Sequence, residues 1–141
     1  MLGPVITVLA IAAATQADVS IPFRTVAEGT DSKIDARYEL VARTAGSWQL
    51  IWFKHRGTYD APPIDPSREM ILAVFAGSRA TGVSAVHIVS VNRESRTLVV
   101  RYRLQSVEAA AGHAGTPTTP FQIIAVPVDR AAVRVVEVPD L

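Results

Sequence analysis

Thr97-Leu98-Val99-Val100-Arg101-Tyr102-Arg103-Leu104 decides the fold class. Leu98, Val100, Tyr102 and Leu104 fall on one side of a period-two pattern, with Arg101 and Arg103 on the other. That pattern describes a strand with one face buried and one wet, the habit of antiparallel sheets. Working outward, Asn92-Arg93-Glu94-Ser95-Arg96 reads as a polar turn, and Val83–Val91 before it as a second strand. Met70-Ile71-Leu72-Ala73-Val74-Phe75 is apolar without interruption and predicts a central strand covered on both faces. Arg37–Arg43 alternates again, with Tyr38, Leu40 and Ala42 inward. Ile21–Val26 alternates too, but Pro22 cannot donate to a ladder, which suits an edge. Phe121–Val126 and Ala132–Val138 close the chain around a turn at Pro127–Arg130.

One helix interrupts this series. Trp48, Ile51, Trp52 and His55 stand at i, i+3, i+4 and i+7 and predict a helix over residues 45–56. Thr44 or Ser47 can cap its start, the basic Lys54, His55 and Arg56 suit its last turn, and Gly57 suits a left-handed exit. The expected architecture is therefore mainly β: a single antiparallel β-sandwich or barrel-like domain with one covering helix.

Composition narrows the function. The 141 residues carry 14 Lys+Arg against 13 Asp+Glu, so no global field directs the chain to nucleic acid or anionic lipid. With no cysteine there is no disulfide, no thiolate nucleophile and no cysteine-ligated metal. No charged residue precedes Asp18, and Val5–Ala14 is an apolar run followed by small residues, with Thr15 and Ala17 at −3 and −1 of a cleavage after Ala17. Ala12 and Ala14 form a second such pair. The reading is a secretory signal over 1–17 and one β-rich domain over 18–141, exported to the periplasm or the extracellular space, with no stable membrane span after cleavage. A buried first strand is the alternative reading of that run.

No motif carries catalysis. Gly82-Val83-Ser84-Ala85-Val86 lacks the second glycine of a nucleophile elbow and runs into a strand. His55, His87 and His113 share no ligand spacing, so neither metal nor cofactor is expected. Arg93, Arg96, Arg101 and Arg103 make a basic stripe on one hairpin, either a solvated strand face or a patch for an acidic partner. Nucleic acid is not expected, because no outward aromatic residue accompanies those arginines. Ser106–Pro120 has no periodicity and exceeds the usual length of a structureless connection, a class that is often functional. The candidate partner-binding residues are Gly77, Arg79, Thr81 and Gly82 in the link before the Val83 strand, with Thr116, Thr119 and Pro120 at the end of the long connection. Trp48, Trp52 and His55 are the candidate lining of a pocket between helix and sheet.

The order of Trp48…Trp52, Pro63-Ile64-Asp65, Arg68–Phe75, Gly77-Ser78-Arg79-Ala80-Thr81-Gly82, the Val83–Val91 strand, Leu98–Tyr102 and Thr118–Pro127 resembles the PrcB C-terminal-like domain family, named for an accessory subunit of a bacterial surface protease complex. The likeness spans about residues 45–138. It departs from the family pattern at Val83-Ser84, where Gly-Tyr is usual, and at Ser106-Val107, where a proline is usual. The resemblance implies an exported, non-enzymatic domain that binds another protein, such as a protease or an envelope component. The link between strands also has a fainter similarity to chagasin-like protease inhibitors. A loop-borne inhibitor and a small-molecule binder are the alternative functions.

Overall fold

The computed structural model describes Gly3 and residues 18–80, 83–106 and 117–139, with only the backbone at 83 and 84. Within them lie β1 (Val19–Ser20), β2 (Arg24–Gly29), β3 (Tyr38–Ala42), α1 (Ala45–Arg56), β4 (Glu69–Phe75), β5 (Val83–Glu94), β6 (Thr97–Ser106), β7 (Phe121–Pro127) and β8 (Ala132–Glu137). They form two four-stranded sheets, ordered β1-β5-β6-β8 and β2-β7-β4-β3. The fold is mainly β, as the strand patterns require.

The alternation within β4 and β7 explains the layering. Met70, Leu72 and Val74 of β4, with Ile124 and Val126 of β7, pack against Val86, Ile88 and Val91 of β5 and Leu98, Val100 and Tyr102 of β6. The odd positions Ile71, Ala73, Phe75, Phe121, Ile123 and Ala125 face the other way and pack beneath Trp48 and Ile51 of α1. The order is thus sheet, sheet, helix, and the central sheet is buried on both faces. This is why β4 reads as an unbroken apolar run.

α1 has the expected bounds and caps. Thr44 Oγ1 accepts the Ser47 N–H at 3.1 Å, and the Ser47 hydroxyl answers the Thr44 N–H at 3.3 Å. Gly57 ends the helix at φ 82°, and its N–H donates to Phe53 O. The charge pattern of the last turn differs from expectation at one residue: His55 is wholly buried and adds no cation to the helix terminus.

Four other expectations are corrected. The Ile21–Val26 strand is shortened: Ile21, just after β1, still donates its N–H to Val91 O of β5, the chain leaves that ladder around Pro22, and β2 begins at Arg24 on the edge of the second sheet. A residue without an N–H is where that break costs least. The polar turn shrinks to Ser95-Arg96, with Ser95 at φ 59°. Asn92, Arg93 and Glu94 stay in the strand because partners satisfy two of their charges: Arg93 pairs with Asp129 and Glu94 with Arg101. Tyr38 is exposed beneath the Lys54 ammonium, whereas Val41 joins the inter-sheet core. Finally, residues 128–131 make no hairpin: they carry the chain across to β8, which runs parallel to β6.

Side chains close both seams of the sandwich. At one, Gln122 of β7 accepts the Ile88 N–H at 2.6 Å and donates to Thr25 Oγ1 at 2.9 Å. At the other, Arg43 donates to the carbonyls of Asp129 and Ala131, and Arg37 donates to the Tyr102 hydroxyl at 2.7 Å.

Candidate interaction surface at one end of the sandwich

The link after β4 and the chain entering β7 meet at one end of the domain. Arg79 and Thr118, distant in sequence, exchange backbone hydrogen bonds of 2.8 and 3.0 Å as a two-residue antiparallel bridge. The Arg79 guanidinium folds back, its Nε donating to Ala76 O at 3.1 Å. Gly77 is buried at φ 76°, and a Cβ there would lie 2.7 Å from Arg37 N. Its side-chain-free backbone is what lets the link rest on residues 35–37, where Ser78 N–H donates to Asp35 O at 2.7 Å.

Thr119 and Pro120 anchor this end. The Thr119 hydroxyl donates to Ser32 O at 2.7 Å, its N–H donates to Thr30 O at 2.9 Å, and buried Pro120 accepts the Ala76 N–H. The 30–32 turn, the 77–79 link and the 117–120 segment therefore form one hydrogen-bonded platform. Thr81, Gly82 and Thr116 lie outside the described residues.

Below that platform sits His55. Its Nδ1 is 2.8 Å from Ser32 Oγ, and that oxygen already accepts the Ile34 N–H at 3.1 Å. With one lone pair taken by Ile34, the Ser32 hydroxyl can either donate its proton to Nδ1 or accept one from it. Among the described residues Nε2 has no partner, and the ring is enclosed by Trp52, Phe75 and Phe121 at centroid distances of 5.2, 5.6 and 4.2 Å. Burial first, then the Arg56 charge, lowers its pKa to about 4, against a smaller opposing pull from Asp31. The ring is neutral at pH 7 and sealed from solvent.

Trp48 and Trp52 meet edge to face at 5.5 Å and fill the layer between α1 and the central sheet. Trp48 donates its indole N–H to Pro62 O at 2.8 Å, and Trp52 donates to Asp60 at 3.1 Å. These bonds pin the proline-rich 58–68 loop over the helix. Trp48, Trp52 and His55 are brought together as expected, but as packed rings. An open groove of about 510 Å³ lies elsewhere, among Phe23, Arg24, Arg68, Glu69, Ala125 and Pro127. The Arg24–Glu69 ion pair at 2.7 Å crosses it, a half-exposed pair of the kind that contributes about 0–1 kcal/mol.

The sequence pattern missed the Ser32–His55 bond, since nothing local relates residues 23 positions apart. It also placed four arginines on one stripe that the fold divides. Arg93 pairs in register with inward Leu98, and Arg96 stands in the turn. Only Arg101 and Arg103 share the outward face, where exposed His87 is Arg103's register partner.

Among the described residues no three His, Asp or Glu side chains converge as a metal site, and no helix is long and apolar enough to cross a membrane. Compared with family models, with curated proteins and with solved structures, the chain finds no match.

Proposed function

We propose that this chain is an exported, non-enzymatic domain that binds another protein, its PrcB-like sequence pattern pointing to an extracellular or envelope protease or its accessory component as the partner. The observation that carries the reading is the Arg79–Thr118 bridge, which sets the 77–80 link beside the 117–120 segment on a hydrogen-bonded base. Segments 77–80 and 117–120, already held by these hydrogen bonds, need less ordering when they bind, which lowers the entropy cost. Export rests on the uncharged, apolar stretch before Asp18, and cleavage after Ala17 leaves β1 whole.

Site-specific photo-crosslinking tests the surface. A crosslinker at Ser78 or Thr118 should capture a defined protein from the native envelope or secreted fraction, and one at Arg68 should not. Equal capture from all three positions, or none from the first two, overturns the assignment. If the captured protein is a protease, its rate with and without the domain separates an accessory subunit from an inhibitor. Mass spectrometry of the secreted chain should find an amino terminus at Asp18 or Thr15, and a terminus at Met1 overturns the cleavage.

A further inference from the structure

We infer that the outer face of α1 is a contact between two copies of this chain, which pair as a weak symmetric dimer in solution. An exposed helix normally turns charged residues to water, opposite the stripe it buries. α1 does not: from Ala45 to Phe53 it carries no charged residue. Trp48, Ile51 and His55 are buried on its inner side, yet Leu50 and Phe53 stand exposed on the outer side. Tyr59, 63% exposed, lies on the Phe53 ring with centroids 4.5 Å apart and planes within 9°. Gly46 precedes Leu50 and Phe53 on the same line of the helix, at i, i+4 and i+7. Among the described residues nothing lies within 4 Å of where its Cβ would be, so packing inside the chain does not require a glycine there.

The charges at the rim select the occupant. Lys54 and Trp52 flank Phe53 in sequence and so lie about 100° to either side of it around the helix. On one flank, the Lys54 ammonium sits 5.6 Å from the centroid of the Tyr38 ring. On the other, Asp60 accepts the Trp52 indole N–H. Hydrogen bonds from Thr58 and Trp52 hold the Asp60 carboxyl below the usual carboxylate range, so it is charged at pH 7. Among the described residues neither Lys54 nor Asp60 is in an ion pair, whereas Arg56, the other cation of the helix, is taken by Asp31 at 3.1 Å. An apolar ridge with an unpaired cation on one flank and an unpaired anion on the other is complementary to itself. A two-fold axis running along α1 lays the Phe53–Tyr59 stack of one copy on that of the other and sets each Lys54 against the opposite Asp60.

Size sets the strength. The 12 residues of α1 make a ridge about 18 Å long and 10–12 Å across, well short of the roughly 800 Å² per partner of a standard interface. Dissociation should therefore fall on the order of 10–100 μM. The contact uses no residue of the loop platform, so the two readings stand or fall separately.

Sedimentation velocity of the secreted chain, from about 10 μM to about 1 mM, should show a monomer passing into a dimer. Phe53→Ser and, independently, Leu50→Ser should abolish that passage, while Arg79→Ala leaves it unchanged. Lys54→Asp and Asp60→Lys should each weaken self-association by about ten-fold. Mixed in equal amounts, these two variants should associate with each other, because every reversed charge then meets its opposite. Melting curves of each variant confirm that the fold persists. A chain that stays monomeric throughout the range overturns the proposal. So does a dimer that folded Phe53→Ser leaves intact, or a failure of the mixed charge variants to associate. Binding of a monomeric chain to phosphatidylcholine–phosphatidylglycerol vesicles through Phe53 also overturns it and assigns the face to a lipid surface.

Discussion

His55 Nδ1 and Ser32 Oγ lie 2.8 Å apart in a fully buried setting, and this bond ties the last turn of α1 to the turn on which Thr119 is anchored. The backbone repeats the tie, with Lys33 N–H donating to His55 O at 3.0 Å. Helix, turn and loop platform are thereby one unit.

Acid should loosen that unit. The folded-state pKa of His55 is about 4, below its ordinary value of 6.5, so the unfolded chain binds the proton first as pH falls. Stability is complete above pH 6.5 and is lost progressively from 6.5 down to 4, to a total on the order of 3 kcal/mol. Urea titrations at pH 7, 5.5 and 4 should show this decline. His55→Gln should lower stability at pH 7 and flatten that part of the profile. An equally steep profile in the variant would assign the acid sensitivity to other groups.

Gly57 and Gly77, both left-handed, should respond differently to alanine. At Gly57 the nearest atom to a new Cβ is the Lys33 ammonium at 2.9 Å, the end of a flexible chain that can move away. The cost there is mainly the left-handed backbone, about 1–2 kcal/mol. At Gly77 the obstacles are Arg37 N at 2.7 Å and Ala36 C at 2.9 Å, both backbone. Gly77→Ala should therefore cost more than Gly57→Ala in chemical denaturation and should shift the amide resonances of residues 35–37 and 79. Equal costs would show that the link has room to relax.

Gln122→Leu should destabilise by about 1–3 kcal/mol, because it leaves the Ile88 N–H without its acceptor inside the seam. Hydrogen exchange at Ile88 should accelerate more than at Val100, which lies in the middle of β6. Uniform acceleration would mean that the whole sandwich opens together.

Thr44→Ala removes the acceptor for the Ser47 N–H and should cost about 1 kcal/mol. Thr44→Asn should recover most of it, since asparagine caps well. A thermal melt of each variant measures both, and no recovery by asparagine would point to the Thr44–Ser47 hydroxyl contact as the important part.

Much of the fold was legible because its causes are local. The bounds of α1 follow from Thr44, the Trp48–His55 stripe and Gly57, all within one short stretch. β4 and β6 announced their burial through apolar spacing alone. Errors arose where polar residues kept strand pairing by means of distant partners, as Arg93 does with Asp129. They arose equally where one residue faced a layer that local pattern cannot reveal, as with Val41. The candidate site was half legible: Arg79 and Thr119 belong to one platform, but their union depends on the Thr30–Ser32 turn, which carried no functional signal.

The sequence by itself determined the element types of the described residues, helix α1 with its caps, the buried central strands and the uncharged start of the chain. Those properties depend on periodicity and on backbone preferences within a few residues. Only the tertiary structure decided the sheet order, the parallel placement of β8 beside β6 and the neutral, sealed state of His55. It alone moved Arg93 off the outer face of the hairpin. These outcomes depend on which distant surfaces meet, and on desolvation and charge pairing that exist only after they meet.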